Sequence, residues 1–376
     1  MNIGVALSTL FAAILLLPWV AQPLMRRLLP GMGGYRWWLH FIELTMAGTL
    51  AMFALTLKNG TWWTMLMLYW ISTLSAWHDL LARQYFMRRT TTAQDSLHLV
   101  LRALSSQMAT VLTYGLMIMA VGVLQIYFRQ RSQTYSWALG YYLLAGAYLF
   151  MTLTNMLLLR NPDHTQMNVT RQWPWQQKRW KEQMIMLVLM LLPQGLMFYS
   201  RTVFLLTQPQ LGGLGCTLQE VGFAHGTIGV IAFLAGVALG KSILNKWGEN
   251  RTKWPLTICL GISPAVYLAM TQSKPEGVWM LSAYTFVAQL MFGIGLNACR
   301  RYLENISGER YRNSVNPLYI PAISLCIMLP MTLSGLLLER LGFANFFLLD
   351  TLCAPVTWLM ILCLTNTHKI LRQKSI

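Results

Sequence analysis

Acids are scarce in this chain: 12 Asp and Glu stand against 29 Lys and Arg. Only Glu43, Asp79 and Asp350 fall inside or at the edge of long apolar runs. An ionisable group in such surroundings is costly and is usually kept for function, and a carboxylate there can exchange protons. Glu43 lies about six residues into its run, roughly 9 Å at the helical rise. His40 and Arg36 stand one and two turns before it. Asp79 follows His78 and precedes Arg83 by one turn. Asp350 lies in the last run, with Arg340 on the same side. Glu43, His78, Asp79 and Asp350 are therefore the expected proton-coupling or gating residues. The competing role for each is a structural pair: Glu43 with His40 or Arg36, Asp79 with Arg83 or Arg102, and Asp350 with Arg340.

A second set of residues suits solute recognition. Arg102 opens a run whose polar face continues through Ser105, Ser106, Gln107 and Thr110. A guanidinium there can hold an anionic group in two-pronged fashion or snorkel to the headgroups. Arg201 reads as a snorkelling residue. Asn155, Gln194, Tyr284, Gln289 and Asn297 are uncharged polar residues within other runs. They suit either solute contact or hydrogen bonds between helices. Arg102, Gln107, Asn155, Gln194, Tyr284, Gln289 and Asn297 form the expected binding set. No Gly-rich phosphate loop and no H-E-x-x-H occurs, so neither an ATPase nor a zinc protease is supported. The 6 cysteines form no C-x-x-C pair and read as small buried apolar side chains. No metal and no cofactor is expected.

The elements that position these residues follow from composition. Hydrophobic residues make up 55% of the chain and charged residues 11%, whereas soluble domains carry about 25% charged residues. Runs near 3–22, 38–57, 62–78, 101–126, 135–159, 183–206, 221–243, 254–271, 278–298, 317–338 and 343–365 are each long enough for a transmembrane helix. The net charge of +17 comes from short basic clusters between these runs rather than from a nucleic-acid-binding face. Bases crowd one set of alternate connections. Only Lys58, Arg129, Arg131, Arg201, Lys274 and Arg340 fall near the other set. The positive-inside rule then places the C-terminus in the cytoplasm and the N-terminus outside. No Lys or Arg precedes Arg26, so the first run reads as a retained span rather than a signal peptide.

The expected architecture is all-α, with about eleven transmembrane helices. Residues 1–159 form a five-span bundle and 183–376 a six-span bundle. The basic, Trp-rich stretch 160–182 reads as an interfacial cytoplasmic linker. Two pseudo-symmetric bundles about a central path resemble the plan of major facilitator transporters, with one span missing before residue 1. The basic turns holding Arg26 and Arg27, and Lys246 and Arg251, occupy matching places and are expected to form a cytoplasmic gate. Gly222, Gly226, Gly229, Gly236 and Gly240 make a small-residue face suited to close helix approach.

Several stretches resemble one branch of that superfamily, the AmpG-type muropeptide permeases, and in particular versions from Bacteroides-like bacteria. They are LPWVAQPL at 17–24, HDLLARQYFM at 78–87, GGLGCTLQEVGFAHGTIGVIAFLAGVALG at 212–240 and AQLMFGIG at 288–295. The resemblance runs in order from about residue 15 to 365 and implies a twelve-helix inner-membrane symporter, typically proton-driven, that carries sugar–peptide cell-wall fragments inward. The second acid of the family's HDIAADGFYM-like pattern falls on Arg83 and its glycine on Gln84. The second Arg of the pattern after Arg102 falls on Gln107, the tenth-span Glu on Ala288 beside Gln289, and a seventh-span acid on Gln194.

The leading expectation is a monomeric secondary transporter of a small solute, multi-pass in the bacterial inner membrane, working by alternating access and coupled to protons. Its partners are the solute, the bilayer and protons, with no nucleic acid. The alternatives are a transport-inactive scaffold or sensor, and a membrane enzyme acting on a lipid-linked sugar.

Overall fold

A computed structural model describes residues 4–26, 28, 34–89, 105–159, 180–307 and 319–359. Arg27, Arg102, most of the 160–182 linker and the C-terminal tail lie outside the described residues. Each expected span contains a helix: α1 Val5–Met25, α2 Tyr35–Thr56, α3 Thr61–Arg89, α4 Ser105–Tyr127 and α5 Gln133–Leu158. α6 has two arms, Trp180–Met190 and Leu192–Leu206. α7 is Leu218–Trp247, α8 Glu249–Ser273 and α9 Val278–Ser307. The last apolar stretch, Ile320–Leu359, is two helices, α10 at 320–341 and α11 at 343–359. They part at Gly342, whose φ of 71° is open to glycine and strained for other residues. Apolar side chains clothe the outside, with Leu157 85%, Tyr127 80% and Trp62 79% exposed. That surface is stable only in lipid.

α3 departs from expectation. The run at 62–78 continues as helix to Arg89, so His78 and Asp79 lie well inside the helix rather than at its end. The helix can carry these polar groups because neighbouring side chains satisfy them, as described below.

Proline shapes three helices, because it cannot donate to the carbonyl four residues back. In α1, Pro18 and Pro23 accompany turns at residues 15–16 and 21. The Trp19 amide turns to the Leu16 carbonyl (3.1 Å), and the Ser72 hydroxyl of α3 takes up the Leu15 carbonyl (2.5 Å). In α6, Pro193 follows the 47° bend between the two arms. In α8, Pro264 leaves the Leu260 carbonyl without its helical donor, and the buried Gln194 Nε2 of α6 donates to that oxygen at 2.8 Å.

The chain divides into two compact units. Described residues 14–159 form one, and residues 4–13 join 180–359 in the other. In the first unit α2 packs against α3 and α5 through two apolar clusters, one of Leu39, Ile42, Leu80 and Leu81, the other of Met46, Leu50, Leu74 and Ala145. In the second unit the core includes Met197, Phe204, Tyr267, Phe346 and Phe347, with the Tyr267 and Phe347 rings stacked at 5.6 Å. The first arm of α1 lies on α10, where Glu339 Oε1 accepts the Ala6 amide at 2.7 Å.

α7 and α9 run parallel at close range. A Cβ on Gly236 would sit 2.2 Å from the Leu290 carbonyl oxygen, and one on Gly293 2.3 Å from that of Phe233. Gly236→Ala must force the two backbones apart and should lower thermal stability by about 1–3 kcal/mol. Gly48→Ala in α2, where a Cβ meets nothing within 4 Å, should leave it unchanged or slightly raised. Thermal unfolding in detergent, read by the surviving size-exclusion peak, checks both.

Candidate functional site

The first unit brings three side chains, His40, His78 and Asn155, onto one carboxylate. Glu43 is 2% exposed and lies between the two apolar clusters of α2. Asn155 Nδ2, from α5, donates to Glu43 Oε1 at 2.8 Å. His78 Nε2, from α3, stands 3.3 Å from the same oxygen. His40 Nδ1, one turn away on α2, stands 3.4 Å from Oε2. The Tyr148 ring lies edge-on to that of His78, with centroids 6.3 Å apart. Arg36, which sequence offered as a partner for Glu43, instead gives Nη2 to the Met156 carbonyl at 2.7 Å, near the C-terminal end of α5. The arrangement gathers one carboxylate and two imidazoles at contacts of 3.3 and 3.4 Å in the interior of the unit.

Asp79 belongs to a different network, although it adjoins His78 in sequence. It forms an ion pair with Arg83 Nη2 one turn on. Gln22 of α1 closes the triangle: its Oε1 accepts from Arg83 Nη2 at 2.6 Å, while its Nε2 donates to Asp79 Oδ2 at 3.1 Å and to the Ala76 carbonyl at 3.2 Å. Arg83 and Gln22 are 4% and 2% exposed. This arrangement ties α1 to α3. It matches the structural role offered for Asp79 through Arg83.

Asp350 is 0% exposed, and neither carboxyl oxygen has a hydrogen-bond partner among the described residues. Arg340 does not reach it. A buried polar group left unsatisfied costs about 1–3 kcal/mol, so Asp350→Leu should raise thermal stability by that order. Comparing its melting temperature with that of the parent checks this. A stability gain accompanied by lost transport would mark Asp350 as held for function.

The other expected residues divide. Gln194 and Asn297 are committed to packing, the latter donating to the Val237 carbonyl at 3.2 Å beside Gly240. Gln289 is buried next to Gly229, and Tyr284 and Gln107 are half-buried. Lys246 and Arg251 are exposed, and nearby Arg301 pairs with Glu249 at 3.1 Å. Sequence reasoning did not place Gln22 at a site. A glutamine between two prolines of a broken helix was the available signal. Among the described residues no cluster of His, Cys, Asp and Glu could hold a metal ion.

No protein-family model matches the chain, and no curated protein matches it in sequence. Among solved structures, a point mutant of the nucleoside transporter NupG superposes with a TM-score of 0.62 at 13% identity, covering 96% of this chain and 90% of that one. The E. coli fucose:proton symporter FucP aligns over 95% of this chain and 96% of its own at 12% identity. Its TM-score of 0.38 is too low to bear on the fold. The chain is thus an all-helical, multi-pass membrane protein with the major facilitator fold.

Proposed function

We propose that the protein is a secondary transporter that moves a small solute across the bacterial inner membrane, with its C-terminus in the cytoplasm, and couples that movement to protons through Glu43. The observation that carries the reading is the buried Glu43 carboxylate, met by His40, His78 and Asn155 from three helices in a chain of this fold. A proton bound there changes the charge of a buried group, and that change biases one conformation over another. The solute class is a sugar or a muropeptide-like cell-wall fragment. The ordered resemblance at 17–24, 78–87, 212–240 and 288–295 to AmpG-type permeases supports it. The bundles rock in alternating access, with Arg26, Arg27, Lys246 and Arg251 at the cytoplasmic gate. Gln107 and Tyr284, half-buried and polar, remain the best solute-facing members of the expected set, together with Arg102.

Counterflow into proteoliposomes tests this. Vesicles preloaded with anhydro-muropeptides, small oligosaccharides or, following the NupG likeness, nucleosides should accumulate the matching labelled solute. Faster net uptake with an acid exterior is expected. Absence of counterflow for every class would overturn the transporter reading.

A further inference from the structure

We propose that Arg201 and His225 form a subsite for an anionic group, a carboxylate or a phosphate, on the transported solute. The proposal rests on the transporter reading and adds the chemical class of one part of the solute. Arg201 lies in the second arm of α6, five residues before its end at Leu206, roughly 7.5 Å below that end. An arginine at this depth could stretch to the headgroups beyond Leu206, and sequence alone favours that. The side chain runs the other way. Its guanidinium sits over the ring of Phe198 at 5.1 Å, one turn farther from Leu206, as the tilt of helical side chains toward the N-terminus promotes. Snorkelling would point the charge toward the near surface instead.

Among the described residues no carboxylate pairs with Arg201, and its buried Nε has no hydrogen-bond partner. An intramembrane charge without a counter-charge is costly, so an anion supplied from outside the chain would complete it. The second arm of α6 and the π-helical turn Gly222–Ile228 of α7 share one apolar cluster, which holds Met197 and Phe204 of the arm and Ala224 of the turn, and His225, 4% exposed, directly follows Ala224. Its depth below Leu218 is roughly 10 Å, close to that of Arg201. π-turns of this kind are frequent at functional sites, where they re-aim side chains. A guanidinium offers two parallel donors to a carboxylate or phosphate, and an imidazole N–H adds a third. The Phe198 ring backs the guanidinium and holds its plane.

The test uses the full chain in nanodiscs of phosphatidylcholine, labelled with p-hydroxyphenylglyoxal and read by peptide mass spectrometry. Exposed Arg129 and Arg131 serve as references. Inorganic phosphate or acetate should slow modification of Arg201 several-fold relative to Arg129 and Arg131. Sodium chloride at matched ionic strength and glucose should not. His225→Ala should reduce the protection while Arg201 still reacts. Equal labelling of Arg201 in every solution overturns the proposal. Protection seen only when phosphatidylglycerol replaces phosphatidylcholine also overturns it, because the partner is then a lipid headgroup. Protection requires no transport, so a failure of counterflow and a failure of anion binding are read separately.

Discussion

Glu43→Gln is expected to abolish proton-driven accumulation of solute while leaving solute exchange intact. Glutamine keeps the size of the side chain and keeps an oxygen for Asn155 Nδ2, now 2.8 Å from Glu43 Oε1. It cannot take up a proton. Net uptake driven by a pH gradient should fall by at least about a hundredfold, the scale seen when a positioned proton-transfer group is removed. Counterflow, which moves no net charge, should stay within a few-fold of the parent. Flattened pH dependence of uptake is expected alongside. His78→Gln should weaken coupling less than Glu43→Gln does, because His40 still faces Oε2 at 3.4 Å. Loss of counterflow and of driven uptake together would instead assign Glu43 a purely structural part.

The second large effect falls on stability. Arg83→Leu leaves Asp79 and Gln22 facing one another without the shared donor. Removing one partner of a buried ion pair typically costs about 3–5 kcal/mol, and Arg83 is 4% exposed. The double variant Asp79→Asn with Arg83→Leu removes both charges and should recover most of that loss, since neutral replacements of buried pairs are often tolerated. Gln22→Leu should cost about 1–3 kcal/mol, the price of orphaning buried donors. Melting temperatures of the four proteins in one detergent decide the matter. A single Arg83 variant as stable as its parent would show that the triangle does not hold α1 to α3.

Much of this fold was legible. Apolar runs located the long described helices, because lipid imposes length and composition on each span independently of its neighbours. Gly342, Pro193 and the paired prolines of α1 accompany the breaks, a local backbone signal that a reading by hydropathy alone passes over. The ion pair of Asp79 with Arg83 was legible from its spacing of four. The site was less so. His78 and Asp79 are adjacent in sequence, yet one turns to Glu43 and the other to Gln22, because successive helical residues point about 100° apart. Which neighbour each one meets depends on how α1, α2, α3 and α5 pack. The same holds for Asp350, whose offered partner Arg340 lies across the Gly342 break. The length of α3 escaped a reading based on hydropathy, since the polar groups that shorten the apolar run are satisfied by other helices. Arg201 was assigned to the headgroups from its place near a span end, and its contact with the Phe198 ring one turn back along the helix was not legible from that place.

The central claim is that a proton moves with the solute by way of Glu43. The direct measurement is proton uptake by weakly buffered proteoliposomes, followed with a pH dye inside the vesicles, when a solute that shows counterflow is added outside. The parent protein should acidify the interior upon addition of solute, and Glu43→Gln should not, although it still exchanges that solute. Solute entry with no accompanying proton in the parent, or unchanged acidification in Glu43→Gln, would contradict the account.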